Sequence, residues 1–280
     1  MSAWPVTCEE PPLVFRRLSR RVIALPVALA LAGLSGCGSG EPAASSATGS
    51  AHAAGGGAKE VTVFAAASLT GTFTELGKTF EAAHPGTTVR FNFGSSATLA
   101  QQIVQGAPAD VFAAASPATM KTVTDASLAA SAVTFVRNKL QIAVPKDNPA
   151  KVDELKDLTD AKVKVALCAE QVPCGAAAVK ALDAAGLKIT PVTLEQDVKA
   201  TLTKVELGEV DAALVYRTDV IASAGEVTGI EFPEADQAIN DYPIATLAKA
   251  PAGDLAGQFV DLVLSQQGKD VLTKAGFEAP

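Results

Sequence analysis

The sequence predicts an α/β protein of two lobes, with parallel-rich sheets flanked by helices. Three observations lead there. From Lys59 onward, short apolar runs alternate with stretches of helical periodicity, the signature of strand–helix–strand units. The chain has 280 residues, 48% of them apolar, and a single core stops growing near about 250–300 residues, so two cores are expected. No apolar run reaches the roughly 20 residues of a membrane span, which leaves the apolar residues for a folded interior.

The elements come in order along the chain. Val61–Phe64 reads as a buried strand, and Leu69, Phe73, Leu76, Phe80 and Ala83 then recur at helical spacing until His84-Pro85-Gly86 ends them. Val89–Phe93 alternates as a strand, Thr98–Gln105 is a short helix, and Asp110–Ala113 a further strand. Later strands are expected at 139–144, 163–167, 190–194 and 211–216, with helices at 175–185 and 197–207 between them. Two helices, 252–264 and 266–274, close the chain. Internal repeats are not evident.

Composition narrows the function. Lys+Arg 23 against Asp+Glu 30 gives a net charge of −7, which argues against nucleic acid, whose affinity comes largely from Lys and Arg on phosphates. By the same totals the protein has little attraction for anions. Two histidines, His52 and His84, are scant material for a His-based metal or catalytic site, and four cysteines are too few for a disulfide scaffold.

The first 36 residues read as an address. A basic run, Arg16–Arg21, precedes an apolar stretch, Val22–Leu34, and then Leu34-Ser35-Gly36-Cys37. This resembles a bacterial lipoprotein signal, which would leave Cys37 as an acylated N-terminus. Without residues 1–36 the chain carries 19 basic and 28 acidic residues, net −9. Residues 37–58 are small and polar without periodicity and read as a flexible tether, with His52 inert inside it. The chain is thus expected on the extracytoplasmic face of the cell membrane, held by lipid alone. With Cys8 in the leader and Cys37 acylated, Cys168 and Cys174 remain, as a disulfide or as two thiols; outside the cytoplasm the disulfide is expected.

In sheets of this class ligands sit at the carboxyl ends of strands, where helix N-termini converge. Four turns come after predicted strands and open helices: Ala65–Thr70, Gly94–Thr98, Val172–Ala176 and Glu195–Val198. Each presents unpaired N–H groups and a partial positive charge. The plainer reading of Ser68, Ser95 and Ser96 is that they cap helices.

These turns also carry a resemblance. Val61–Thr70 (VTVFAAASLT), Ser95–Ile103 (SSATLAQQI) and Gly106–Phe112 (GAPADVF) are similar, in order, to the periplasmic molybdate-binding proteins of ABC transporters. Val172–Gly175, Asp197-Val198, Leu214–Tyr216 and Lys274–Phe277 continue it, so the likeness spans 59–280. It implies a type II periplasmic-binding-protein fold with the ligand in the cleft between lobes: 59–138 plus 241–280 as lobe one, 139–240 as lobe two. It also implies a site. Ser68 and Ser96 would each give a hydroxyl and an N–H, Cys174 and Val198 an N–H, and Tyr216 its phenol. Cys174 stands where the family commonly has Ala, Ala97 where Ser is frequent, and Arg217 follows Tyr216 where smaller residues are common, which puts its guanidinium near the anion as an open question.

Such a cage contains donors only. Molybdate, tungstate and sulfate need only donors, whereas phosphate near neutral pH carries a proton and wants an acceptor. The expectation is therefore a receptor that captures molybdate and tungstate and hands them to an ABC permease. It would be a monomer with no cofactor, no nucleic-acid partner and no protein ligand on molybdenum, which enters only as the oxyanion. The alternatives are a receptor for another tetrahedral oxyanion such as sulfate, or a lipid-anchored serine hydrolase. No enzyme is expected: a hydrolase needs a base, and His84 at a predicted helix end is the only folded-domain histidine.

Overall fold

The computed structural model describes residues 59–129 and 131–280. The leader, Cys37 and the tether lie outside the described residues. Among the described residues no helix is long and apolar enough to cross a membrane.

Two five-stranded mixed sheets organise the chain. The first is built from β1 (Lys59–Ala66), β2 (Thr87–Gly94), β3 (Val111–Ala113), β4 (Val133–Asn138) and β10 (Asn240–Thr246), in the order β2-β1-β3-β10-β4. The second contains β5 (Leu140–Pro145), β6 (Val165–Cys168), β7 (Thr193–Glu195), β8 (Ala212–Tyr216) and β9 (Val227–Ile230), in the order β7-β6-β8-β5-β9. Each sheet has three parallel strands and one strand antiparallel to both its neighbours: β10 in the first, β5 in the second. The chain passes between sheets twice, after Asn138 and before Asn240. The second passage falls one residue ahead of the expected change at 241, because Asn240 already pairs with Asn138 in the β10–β4 ladder.

Both faces of the first sheet are covered, and β1 shows why its sequence is nearly all apolar. Val61, Val63 and Ala65 face α1 (Thr70–Ala83), α7 (Gly253–Leu264) and α8 (Gln266–Lys274), while Phe64 faces the opposite side with α2 (Ser96–Val104) and α3 (Pro117–Asp125). The helical spacing of Phe73, Leu76 and Phe80 puts them on the buried stripe of α1, where Phe73 and Phe80 meet Phe259 of α7 edge-on at 6.0 and 5.5 Å. Burying one such side chain contributes roughly 1.5–3 kcal/mol. Asp110, in the turn before β3, is itself buried and accepts from the N–H of Thr62 and of Ala252, both at 2.7 Å, so it fastens β1 to the entrance of α7. In the second sheet, Val165, Ala166, Ala212–Val215 and Leu140–Val144 form one core with α4 (Pro173–Ala185) and α5 (Val198–Glu206).

The strand registers bring pairs of turns together. Ala66 at the end of β1 lies beside Gly94 at the end of β2, and Cys168 at the end of β6 lies beside Glu195 at the end of β7. The turns that leave each pair are therefore neighbours at the carboxyl edge of their sheet.

Candidate functional site

The four turns meet around one hollow between the two sheets. Ser68 and Ser96 line it from the first sheet, and Cys174, Val198 and Tyr216 from the second. The hollow is small: the centre of a water molecule has about 20 Å³ to move in. Treated as a sphere, that volume has a radius of about 1.7 Å, and the water radius of about 1.4 Å makes a hollow roughly 3.1 Å in radius. This suits a single compact polyatomic ion.

Each wall begins a helix. Ser68 lies in the single 3₁₀ turn Ala67–Leu69 that leads into α1. Ser95 and Ser96 start α2, Pro173 and Cys174 start α4, and Asp197 and Val198 start α5. N–H groups in a first turn have no helical acceptor, and the helix dipole adds partial positive charge there. In α4 Pro173 has no N–H, and the first helical bond is Ala176 N–H to the carbonyl of Val172, which leaves Cys174 and Gly175 as donors. Gly175 is required: a Cβ on it would lie 2.0 Å from the Ala169 carbonyl oxygen. In α5 the Asp197 Oδ1 accepts from Lys199 and Ala200 N–H at 2.9 and 3.0 Å, and its carbonyl accepts from Thr201 N–H at 3.1 Å. Val198 keeps the remaining N–H of that turn. Among the described residues Asp197 is the only charged one lining the hollow, and its carboxylate is committed to this cap.

None of the three serines caps its helix. The Ser68 hydroxyl instead pairs with the Tyr242 hydroxyl at 2.9 Å, and the Ser96 Oγ accepts from the Ala115 N–H at 2.9 Å. The Ser95 Oγ is buried without a hydrogen-bond partner. The Tyr216 hydroxyl accepts from the Asn240 side-chain amide at 2.8 Å. Burial first, then neighbouring Tyr242 and Asp219, pushes the Tyr216 phenol well up from its ordinary range, and burial likewise raises Tyr242. Both phenols therefore keep their protons and remain donors.

Cys168 and Cys174 are joined by a disulfide that ties the end of β6 to the start of α4. Arg217 does not line the hollow. It opens α6 (Arg217–Ala222), and its guanidinium lies 3.9 Å from Glu278 near the C-terminus. Ala97 packs against the core of the second sheet rather than into the hollow. His84 stacks on Phe80 with ring centroids 4.0 Å apart and hydrogen-bonds the Phe80 carbonyl and Gln258. It sits at the far end of α1 from Ser68, about 20 Å along a 14-residue helix, so among the described residues Ser68 has no imidazole beside it. Among the described residues no group of three or more His, Cys, Asp or Glu could hold a metal ion.

Sequence reasoning passed over Asn138, Asn240 and Tyr242, which hold the hydroxyls from behind. Asparagine in an unpredicted strand gave no signal; only the fold brings these residues to the site.

Residues 61–278 match the sequence model of bacterial extracellular solute-binding proteins. The chain belongs to that family. It is 42% identical over 254 residues to the molybdate-binding protein ModA of Mycobacterium tuberculosis, covering 90% of this chain and 95% of the relative. It is 33% identical to the putative ABC transporter substrate-binding lipoprotein YvgL of Bacillus subtilis, covering 78% of this chain and 86% of that one. Among solved structures, the Azotobacter vinelandii periplasmic molybdate-binding protein superposes with a TM-score of 0.69 at 22% identity, over 79% of this chain and 99% of the other. This last likeness shows the two-lobed fold of the solute-binding protein family.

Proposed function

We propose that this solute-binding protein captures molybdate, and tungstate with it, in the hollow between its lobes and delivers the anion to an ABC permease. One observation carries the reading: four hydroxyl residues and four helix starts surround an ion-sized hollow that, among the described residues, no Lys or Arg lines. A dianion leaving water needs many hydrogen bonds, each worth about 1.5–3 kcal/mol when one partner is charged. Ser68 and Ser96 supply hydroxyl and N–H, Cys174 and Val198 N–H, and Tyr216 its phenol. The relatives named as molybdate-binding, one of them 42% identical over most of both chains, favour this ligand.

Lobe one is taken as 59–138 with the return from the second crossing onward, and lobe two as the intervening segment. An anion held by Ser68 and Ser96 on one side and Cys174, Val198 and Tyr216 on the other favours closure, and the closed form presents both lobes to the permease. The lipoprotein among the relatives supports acylation at Cys37 after removal of 1–36, with 37–58 as tether to the extracytoplasmic membrane face. The protein acts as a monomer and as a carrier, not an enzyme.

Titration calorimetry with molybdate, tungstate, sulfate and phosphate is the test. Tight molybdate and tungstate binding, much weaker sulfate and no phosphate are expected. Phosphate binding at an affinity comparable to molybdate overturns the donors-only cage, and sulfate binding tighter than molybdate reassigns the receptor.

A further inference from the structure

We propose that Asn240 is a positioning residue that directs the proton of Tyr216 into the hollow, and so sets its preference for fully deprotonated oxyanions. The inference rests on the reading of the hollow as an oxyanion site.

Obligate donors and acceptors fix the direction of each proton. The Asn240 side-chain nitrogen lies 2.6 Å from the Ala115 carbonyl oxygen and 2.8 Å from the Tyr216 hydroxyl. A carbonyl can only accept, so the amide must turn its NH₂ toward Ala115, and its second hydrogen then goes to Tyr216. The Tyr216 oxygen is made an acceptor on that side, which leaves its proton the hollow or the neighbouring Tyr242 hydroxyl, and an anion in the hollow is the stronger acceptor. The same Ala115 residue donates its N–H to Ser96 Oγ at 2.9 Å. An N–H can only donate, so the Ser96 proton is likewise free. One buried side chain, 7% exposed, thus braces Tyr216 of the second sheet against Ala115 of the first, while the sense of the Ser96 hydroxyl is set by the Ala115 backbone N–H. Asn240 stands at the second chain crossing, opposite Asn138, so this bracing forms only when the two lobes are together. A hydrogen-bearing anion, which needs an acceptor in the cage, finds protons pointing at it instead.

The experiment is a double-mutant cycle in the full chain, read by calorimetry with molybdate and inorganic phosphate. Asn240→Ala should weaken molybdate at least about tenfold, or about 1.4 kcal/mol. In a Tyr216→Phe background the same change should cost much less, because the hydroxyl it orients is gone. Asn240→Asp keeps the shape but accepts from Tyr216, which reverses that hydroxyl; the molybdate-to-phosphate affinity ratio should fall about tenfold or more. Melting curves establish folding, and if Asn240→Ala does not fold, Asn240→Asp carries the ratio test alone. Losses that add fully in the cycle, or an unchanged ratio in folded Asn240→Asp, overturn the inference while leaving the function intact. Failure of the unaltered protein to bind molybdate overturns the function, and the inference with it.

Discussion

Asn138 and Asn240 face each other across the β4–β10 ladder, where the chain passes between lobes, and each sends its side-chain amide to a hydroxyl of the other lobe. Asn138 donates to Thr218 at 2.8 Å and Asn240 to Tyr216 at 2.8 Å. Both side chains are buried, and their hydrogen bonds join the two sheets where the chain crosses between them. Small-angle scattering with and without molybdate should show compaction on binding; an unchanged radius of gyration contradicts closure around the anion.

Removing either cage serine tests the site at its simplest. Ser68→Ala and Ser96→Ala should each cost about 1–3 kcal/mol of molybdate affinity, because an anion oxygen loses a donor in a desolvated hollow. Calorimetry measures it, and an affinity equal to that of the unaltered protein removes that residue from the cage.

The disulfide should matter for stability more than for binding. Breaking the Cys168–Cys174 bond, with its sequence separation of 6, should cost about 2 kcal/mol in the chain-entropy account. In the double variant Cys168→Ser with Cys174→Ser the melting temperature should fall, while molybdate still binds, since position 174 contributes only its N–H. Loss of binding in a folded double variant would mean that the bridge itself holds the α4 turn in place.

Gly175→Ala should damage both. The new Cβ must push the Ala169 carbonyl and the start of α4 apart, a change of the overpacking kind that costs about 1–3 kcal/mol or more. Thermal melting and molybdate titration on one sample should show a lower melting temperature together with weaker binding.

Asp219 makes the stability pH-dependent. Its carboxylate is fully buried in α6, with Lys199 Nζ 3.0 Å from Oδ1 but neither oxygen in hydrogen-bond alignment. Burial raises its pKa above the ordinary 3.8, with Lys199 opposing. A raised acid binds its proton more tightly folded than unfolded, so its contribution is complete below 3.8 and is lost as pH rises through the folded-state value. Melting temperatures across pH should therefore shift in favour of Asp219→Asn as pH rises. A constant difference between the two proteins contradicts this.

Much of the fold was legible where local pattern and tertiary role agree. The apolar run Val61–Phe64 and the spacing of Phe73, Leu76 and Phe80 place β1 and α1 within a few residues of their observed bounds. Where the two disagree, local pattern misleads. β10 contains Pro243 beside a register shift and begins with Asn240 and Asp241, so it lacks the apolar alternation of a strand. Only the pairing of β10 with β3 and β4 makes it one. Likewise α3 is announced by Ser116 and Pro117, an N-cap and first-turn proline, but has too few apolar residues to stand out. At the site, Ser68 reads from sequence as a helix cap; its hydroxyl turns instead to Tyr242, 174 residues along the chain.

The sequence alone determined which chemistry was available: small hydroxyl residues at strand ends, and a net charge of −7 that speaks of solubility rather than of affinity; that Arg217 turns away from them was decided by the fold. Spacing along the chain is local information, and it suffices for elements and for the turns between them. Which hydroxyls cap helices and which turn to partners distant in sequence was decided only by the tertiary structure. A proton's direction depends on the partner behind it, and here those partners, Tyr242, Ala115 and Asn240, reach the hollow from segments distant in sequence.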